Sequence, residues 1–139
     1  MRISRRLRDE VVAHARAEAP NECCGMIATR DGEAVAVHPV RNEFASPLRY
    51  KMDPQEQYRV WDEIESSGSD VGVIYHSHTR SDPIPSQTDI NLARTEETGE
   101  PLWPGTLYLI VGVKSDDDDL RLWSIVGDEV QQVELQVVG

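Results

Sequence analysis

The apolar run Val71-Gly-Val-Ile-Tyr75 leads straight into His76-Ser-His78. Such a run reads as a β-strand, and side chains alternate on an extended segment, so His76 and His78 project from the same face. The strand therefore delivers two imidazoles at its C-terminal end, where α/β layer folds place their active groups. Asp89 follows eleven residues after His78, past a loop carrying Pro83 and Pro85. Two imidazoles and one carboxylate suit a catalytic zinc that keeps its fourth position for water. A purely structural reading competes. Ser86-Gln-Thr-Asp89 after Pro85 reads as a helix N-cap with its acidic N3 partner, which would occupy Ser86 and Asp89 without any metal.

A zinc hydrolase with three protein ligands also needs a proton acceptor that is not itself a ligand. Glu22, in Pro20-Asn-Glu-Cys-Cys-Gly25, lies between an expected helix and an expected strand, a place where scaffolds often hold catalytic groups. Taken alone it would be an ordinary loop acid.

The remaining elements follow from periodicity and punctuation. Residues 3–18 carry Ile3, Leu7, Val11 and Ala15 at helical spacing, with Ser4 near the start and Pro20 beyond the end. Residues 24–29 and 33–40 flank Asp31-Gly32, a hairpin signal. Asp53-Pro54-Gln-Glu56 opens a second helix with an N-cap, a proline at N1 and an acid at N3; Tyr58, Trp61 and Ile64 form its expected buried stripe. Residues 86–98 are expected as a third helix, and 106–113, 120–126 and 130–138 as further strands. The acidic run Asp116 to Asp119 is expected as a solvated turn, since it lacks the alternate ligands and glycine hinge of a calcium loop.

With 139 residues and a net charge of −11, the chain is of one-domain size and poorly suited to a phosphate backbone, so nucleic acid is not an expected partner. No apolar run approaches the roughly 20 residues of a membrane span, and MRISRRLRDEVV lacks the apolar stretch of a secretory signal, so a cytoplasmic protein is expected. Cys23 and Cys24 are adjacent, which disfavours a disulfide between them. Both are expected to be buried as small apolar residues, with Cys24 on the Glu22 side if the strand already starts at Glu22.

Glu22, His76, His78, Ser86 and Asp89 together match Glu followed far downstream by His-x-His-x7-Ser-x2-Asp, and the chain resembles the JAMM (MPN-plus) zinc metallopeptidases over nearly its whole length. Thr79 stands where deubiquitinating members carry proline. The segment PVRNEFASPLRYKMDP (39–54) and the Pro85-Ser86 step look like the bacterial branch of the CysO-cysteine peptidase type. The resemblance implies an α/β (α+β) domain over residues 1–139 with the cytidine-deaminase-like JAB1/MPN fold, a central mixed sheet flanked by three helices. It implies one zinc held by His76, His78 and Asp89, Glu22 as general base, and Ser86 donating to the oxyanion. The implied substrate is the C-terminal Gly-Gly tail of a ubiquitin-like sulfur-carrier protein, for example a carrier–cysteine adduct of cysteine biosynthesis. A deubiquitinase-like isopeptidase or a non-catalytic binding module is the alternative, and a homodimer stays open. Deaminase chemistry would want His-x-Glu with Pro-Cys-x-x-Cys, which Cys23-Cys24 does not supply.

Overall fold

The computed structural model describes residues 1–139. In chain order it contains β1 (Arg2–Ser4), α1 (Arg5–Glu18), β2 (Cys24–Arg30), β3 (Glu33–Val40), α2 (Pro54–Ser66), β4 (Asp70–His78), α3 (Gln87–Leu92), β5 (Leu107–Gly112), β6 (Asp119–Val126), β7 (Glu129–Val133) and β8 (Gln136–Val138). The strands form one mixed sheet in the order β7-β6-β5-β4-β2-β3-β1-β8. The histidine strand β4 lies in its middle. It runs antiparallel to β2, with Cys24 opposite His76, and parallel to β5, with His78 opposite Gly112. Hydrogen bonds on both sides thus fix the backbone that carries the imidazoles.

Strand alternation sorts the core into two layers. Val73 and Tyr75 of β4 pack with Val11, Val12 and Ala15 of α1. Ile74 points the other way, with Val60 and Ile64 of α2, and His76 shares that face by the same period of two. The β2–β3 hairpin turns at Asp31 (φ 50°) and Gly32 (φ 77°), a left-handed pair suited to a two-residue turn.

Several expected boundaries move. Residues 2–4 form a strand, and Ser4 is the N-cap of α1, its Oγ accepting from the Leu7 amide at 3.2 Å. On α2 the buried residues are Val60 and Ile64, whereas Tyr58 is 76% exposed because it sits about half a turn round the helix from Val60. Trp61 is half-buried against Trp103, with ring centroids 4.6 Å apart. The third helix stops at Leu92. Residues 94–99 offer no apolar stripe, and the chain folds back there, with Thr95 N donating to Glu100 O at 2.9 Å.

The last expected strand is two. β7 pairs with β6 at one edge and β8 pairs parallel with β1 at the other. Only residues 134–135 separate them, and so short a link cannot span an open eight-stranded sheet, so the sheet curls until its edges approach. The acidic run is not purely solvated either. Asp118 accepts from Arg16 at 2.6 Å and from Arg8 at 3.5 Å, docking the β5–β6 turn on α1.

Gly25 lies opposite Tyr75, and a Cβ there would run into the Tyr75 ring. That ring is fully buried and its hydroxyl shares a 2.7 Å hydrogen bond with His14 Nδ1, so it has nowhere to swing. Gly25→Ala is expected to cost about 1–3 kcal/mol, read as a lower urea midpoint at unchanged slope; an unchanged midpoint would contradict the packing described.

Candidate metal centre

Two backbone elements bring the expected ligands together. β4 places His76 and His78, which are 1% and 5% exposed. The first turn of α3 places Asp89, 8% exposed. A capping box aims that carboxylate: Asp89 N donates to Ser86 Oγ at 3.1 Å, and Ser86 N donates to Asp89 Oδ2 at 2.9 Å. The structural reading of Ser86 as a helix cap is therefore realised, in the same geometry that points Asp89 at the histidines.

His76 Nε2 lies 3.2 Å from His78 Nε2 and 3.1 Å from Asp89 Oδ1. His78 Nε2 lies 3.0 Å from Asp89 Oδ2. The carboxylate thus offers one oxygen to each ring, and the separation of the two Nε2 atoms is close to that of two donors on a tetrahedral cation, about 3.3 Å for bonds of about 2.0–2.1 Å. The protonation pattern fits as well. His78 Nδ1 lies 2.8 Å from the Asp82 carbonyl oxygen, which can only accept, so Nδ1 carries a proton and Nε2 is the nitrogen that faces the site. Burial opposes ionisation of Asp89, but the adjacent His76, hydrogen bonds from both histidines and the Ser86 amide hold its carboxyl well below the usual range. These three residues can hold a metal ion.

Glu22 reaches the same cluster from the link between α1 and β2. Its amide donates to Ser46 O at 2.8 Å, and its carbonyl accepts from Asn42 Nδ2 at 3.0 Å. The next residue is tied to β4, Cys23 N donating to Ser77 Oγ at 2.8 Å. Thr79 Oγ1 adds a 2.9 Å bond to Pro20 O. The Glu22 side chain is 5% exposed and its Oε1 has no partner. Burial pushes its carboxyl up to about 8, with His78 opposing and Asp89 adding to the rise. Ser86 itself is exposed. Cys23 and Cys24 are buried, and burial pushes the Cys23 thiol up to about 12, so it is no thiolate nucleophile near neutral pH.

Three contributors were not singled out by spacing. Ser77, between the histidines, faces the other way and anchors Cys23. Tyr50 stacks on His76, centroids 4.5 Å apart at 21°. Asn42, considered above only as part of the 39–54 segment, spends three of its carboxamide hydrogen bonds within that loop and the fourth on the Glu22 carbonyl. Nothing in local pattern marks Tyr50, because its contact crosses from a loop to a strand.

Residues 4–126 match the profile of the prokaryotic homologs of the JAB domain. The chain belongs to that family. It is 39% identical over 137 residues to the desampylase of Haloferax volcanii, covering 94% of this chain and 91% of that protein. It is 37% identical over 131 residues to the CysO-cysteine peptidase of Mycobacterium tuberculosis, covering 92% and 84%. A JAB1/MPN-domain protein of Archaeoglobus fulgidus shares the fold, with a TM-score of 0.65 at 21% identity over 100% of both chains. This JAB-family chain is a JAMM-type peptidase, and none of its helices is long and apolar enough to cross a membrane.

In the metal-free protein Glu22 carries a proton that the unfolded chain releases between its ordinary value of 4.5 and about 8. Folded-state protons then exceed unfolded ones, so this group's stabilising contribution is full below the lower value and is lost as pH rises through the upper. Glu22→Gln should therefore gain in melting temperature over wild type at pH 8 more than at pH 5, both free of metal. An equal difference at the two pH values would contradict a buried, partnerless carboxyl.

Proposed function

We propose that this JAB-family peptidase is a zinc enzyme that hydrolyses the amide bond at the C-terminal Gly-Gly tail of a ubiquitin-like carrier protein. The observation that carries the reading is the partnerless Glu22 carboxyl, placed where it feels both His78 and Asp89, beside three electron-pair donors about 3 Å apart. His76, His78 and Asp89 would hold the zinc, which when bound polarises a water and the scissile carbonyl.

The chain's own groups supply the rest. Glu22 takes the proton of the attacking water on its unpaired oxygen and returns it to the leaving nitrogen. Ser86 Oγ spends a lone pair on the Asp89 amide, which leaves its O–H free to donate to the developing oxyanion. The α3 cap and the oxyanion donor are then the same hydroxyl.

The burial of all three ligand side chains favours an extended, narrow substrate segment over a folded surface. Glycine lets a backbone come close enough to such a site. The relatives named desampylase and CysO-cysteine peptidase support a carrier-type substrate, with a carrier–cysteine adduct as the proposed form and the cytoplasm as the proposed location.

Three variants separate the roles. His78→Ala should lose stoichiometric zinc and cleavage together; full zinc retention would remove it from the ligand set. Glu22→Gln should keep zinc and lose about 10²–10⁴-fold in turnover, since an amide cannot accept the proton. Ser86→Ala, with rate and melting temperature measured on one sample, should lose about 10²–10³-fold in turnover, whereas a capping role alone predicts a loss of about 1 kcal/mol with activity intact.

The substrate is tested by offering a carrier–cysteine adduct and a ubiquitin dimer at equal concentration and following both by mass spectrometry. Preferred release of cysteine is expected. Preferred cleavage of the dimer would overturn the carrier–cysteine assignment in favour of a protein–protein isopeptide.

A further inference from the structure

The two histidines are held differently. His78 Nδ1 lies 2.8 Å from the Asp82 carbonyl and 3.2 Å from Ser81 Oγ, so rotating its ring breaks hydrogen bonds. His76 Nδ1 is buried and has no hydrogen-bond partner. The terminal ring torsion of histidine is intrinsically broad, and metal-ligating histidines generally owe their ring orientation to a bond at the far nitrogen. With nothing bonded at Nδ1, the plane of His76 is left to its Nε2 contact with Asp89 and to what packs against the ring.

Tyr50 lies against that ring nearly face to face, with centroids 4.5 Å apart and an interplanar angle of 21°. It is 7% exposed, in the same apolar cluster as Cys24 and Ile74, so it has little room to turn. Its backbone is bracketed by one side chain. Asn42 Nδ2 donates to Arg49 O at 3.2 Å, and Asn42 Oδ1 accepts from Lys51 N at 3.0 Å, the residues on either side of Tyr50. The same Nδ2 donates to Glu22 O at 3.0 Å and the same Oδ1 accepts from Phe44 N at 3.1 Å, which exhausts the donors and acceptors of the carboxamide.

We infer that Tyr50, clamped by Asn42, is the positioning residue that sets the plane of His76 and thereby aims its Nε2 at the metal site. This rests on the proposed zinc reading and adds a device to it. The stack replaces the missing hydrogen bond at Nδ1, and through Asn42 the loop that orients the ligand also fixes the backbone of Glu22. The flat ring is what matters, so phenylalanine serves and an aliphatic residue of similar bulk does not.

The test is a Zn²⁺ titration of the full-length chain by competition with a chromophoric chelator, together with the visible spectrum of the Co²⁺ form. Tyr50→Phe should bind Zn²⁺ within about twofold of wild type and keep the Co²⁺ spectrum. Tyr50→Leu should bind about 10–100-fold more weakly, with a Co²⁺ spectrum altered from the wild-type one. A merely structural role would lower the melting temperature of Tyr50→Leu without moving affinity or spectrum, and that result would overturn the inference. Should Tyr50→Leu fail to fold, the wild type decides alone. Proton NMR of the metal-free protein should show His76 ring protons shifted upfield by the Tyr50 ring, and unshifted resonances would overturn the stack. A wild type that takes up no Zn²⁺ would sink the zinc reading instead, an outcome distinct from equal Zn²⁺ affinity in wild type and Tyr50→Leu.

Discussion

Nε2 of His76, Nε2 of His78 and the Asp89 carboxylate present electron pairs to one another across 3.0 to 3.2 Å. In a buried setting such a trio is tolerated only with protons or a cation between its members. The rest of the architecture serves that juxtaposition. β4 is paired on both sides, so the two histidines cannot drift relative to β2 or β5. The capping box at the start of α3 sets the third group with two backbone hydrogen bonds, so the geometry that starts a short helix also orients a ligand. Trp123 Nε1 donates to Pro83 O at 3.0 Å, tying the connecting loop back to β6.

The two faces of the sheet divide the labour. Ser77 and Tyr75 turn toward α1, where Ser77 anchors Cys23 and Tyr75 meets His14. His76 turns toward the α2 side, where Tyr50 covers it. Glu22 stands where these systems meet, linked through its backbone to the 41–53 loop and through Cys23 to β4. Burial without a partner is costly for a carboxyl, and at Glu22 that cost takes the form of a raised proton affinity. Stability is sacrificed at the position where proton transfer is proposed.

The histidine pair, the Asp31-Gly32 hairpin and the start signals of α1 and α2 were legible in the sequence because each depends on neighbours a few residues apart. The same locality explains why Ser86 and Asp89 had two readings: a capping box and a ligand set share their spacing, and here they coexist. Errors arose where distant contacts decide. Tyr58 follows the apolar period loosely, yet Val60 and Ile64 face the sheet. Periodicity extends α3 to residue 98, yet only Ala93 beyond Leu92 is buried, and residues 94–98 carry nothing apolar to hold a helix on the core. Residues 130–138 read as one strand, but the curled sheet sends β8 across to β1. Tyr50 and Asn42 sit in a loop without periodicity, and only the fold brings them to His76 and Glu22.

Anomalous X-ray diffraction at the zinc absorption edge, on crystals of the zinc-loaded wild-type chain, tests the central claim most directly. The account predicts a single strong peak about 2.0–2.1 Å from His76 Nε2, His78 Nε2 and an Asp89 carboxylate oxygen, with Glu22 outside bonding distance. A peak at other residues, or one that includes Glu22 as a ligand, would contradict it.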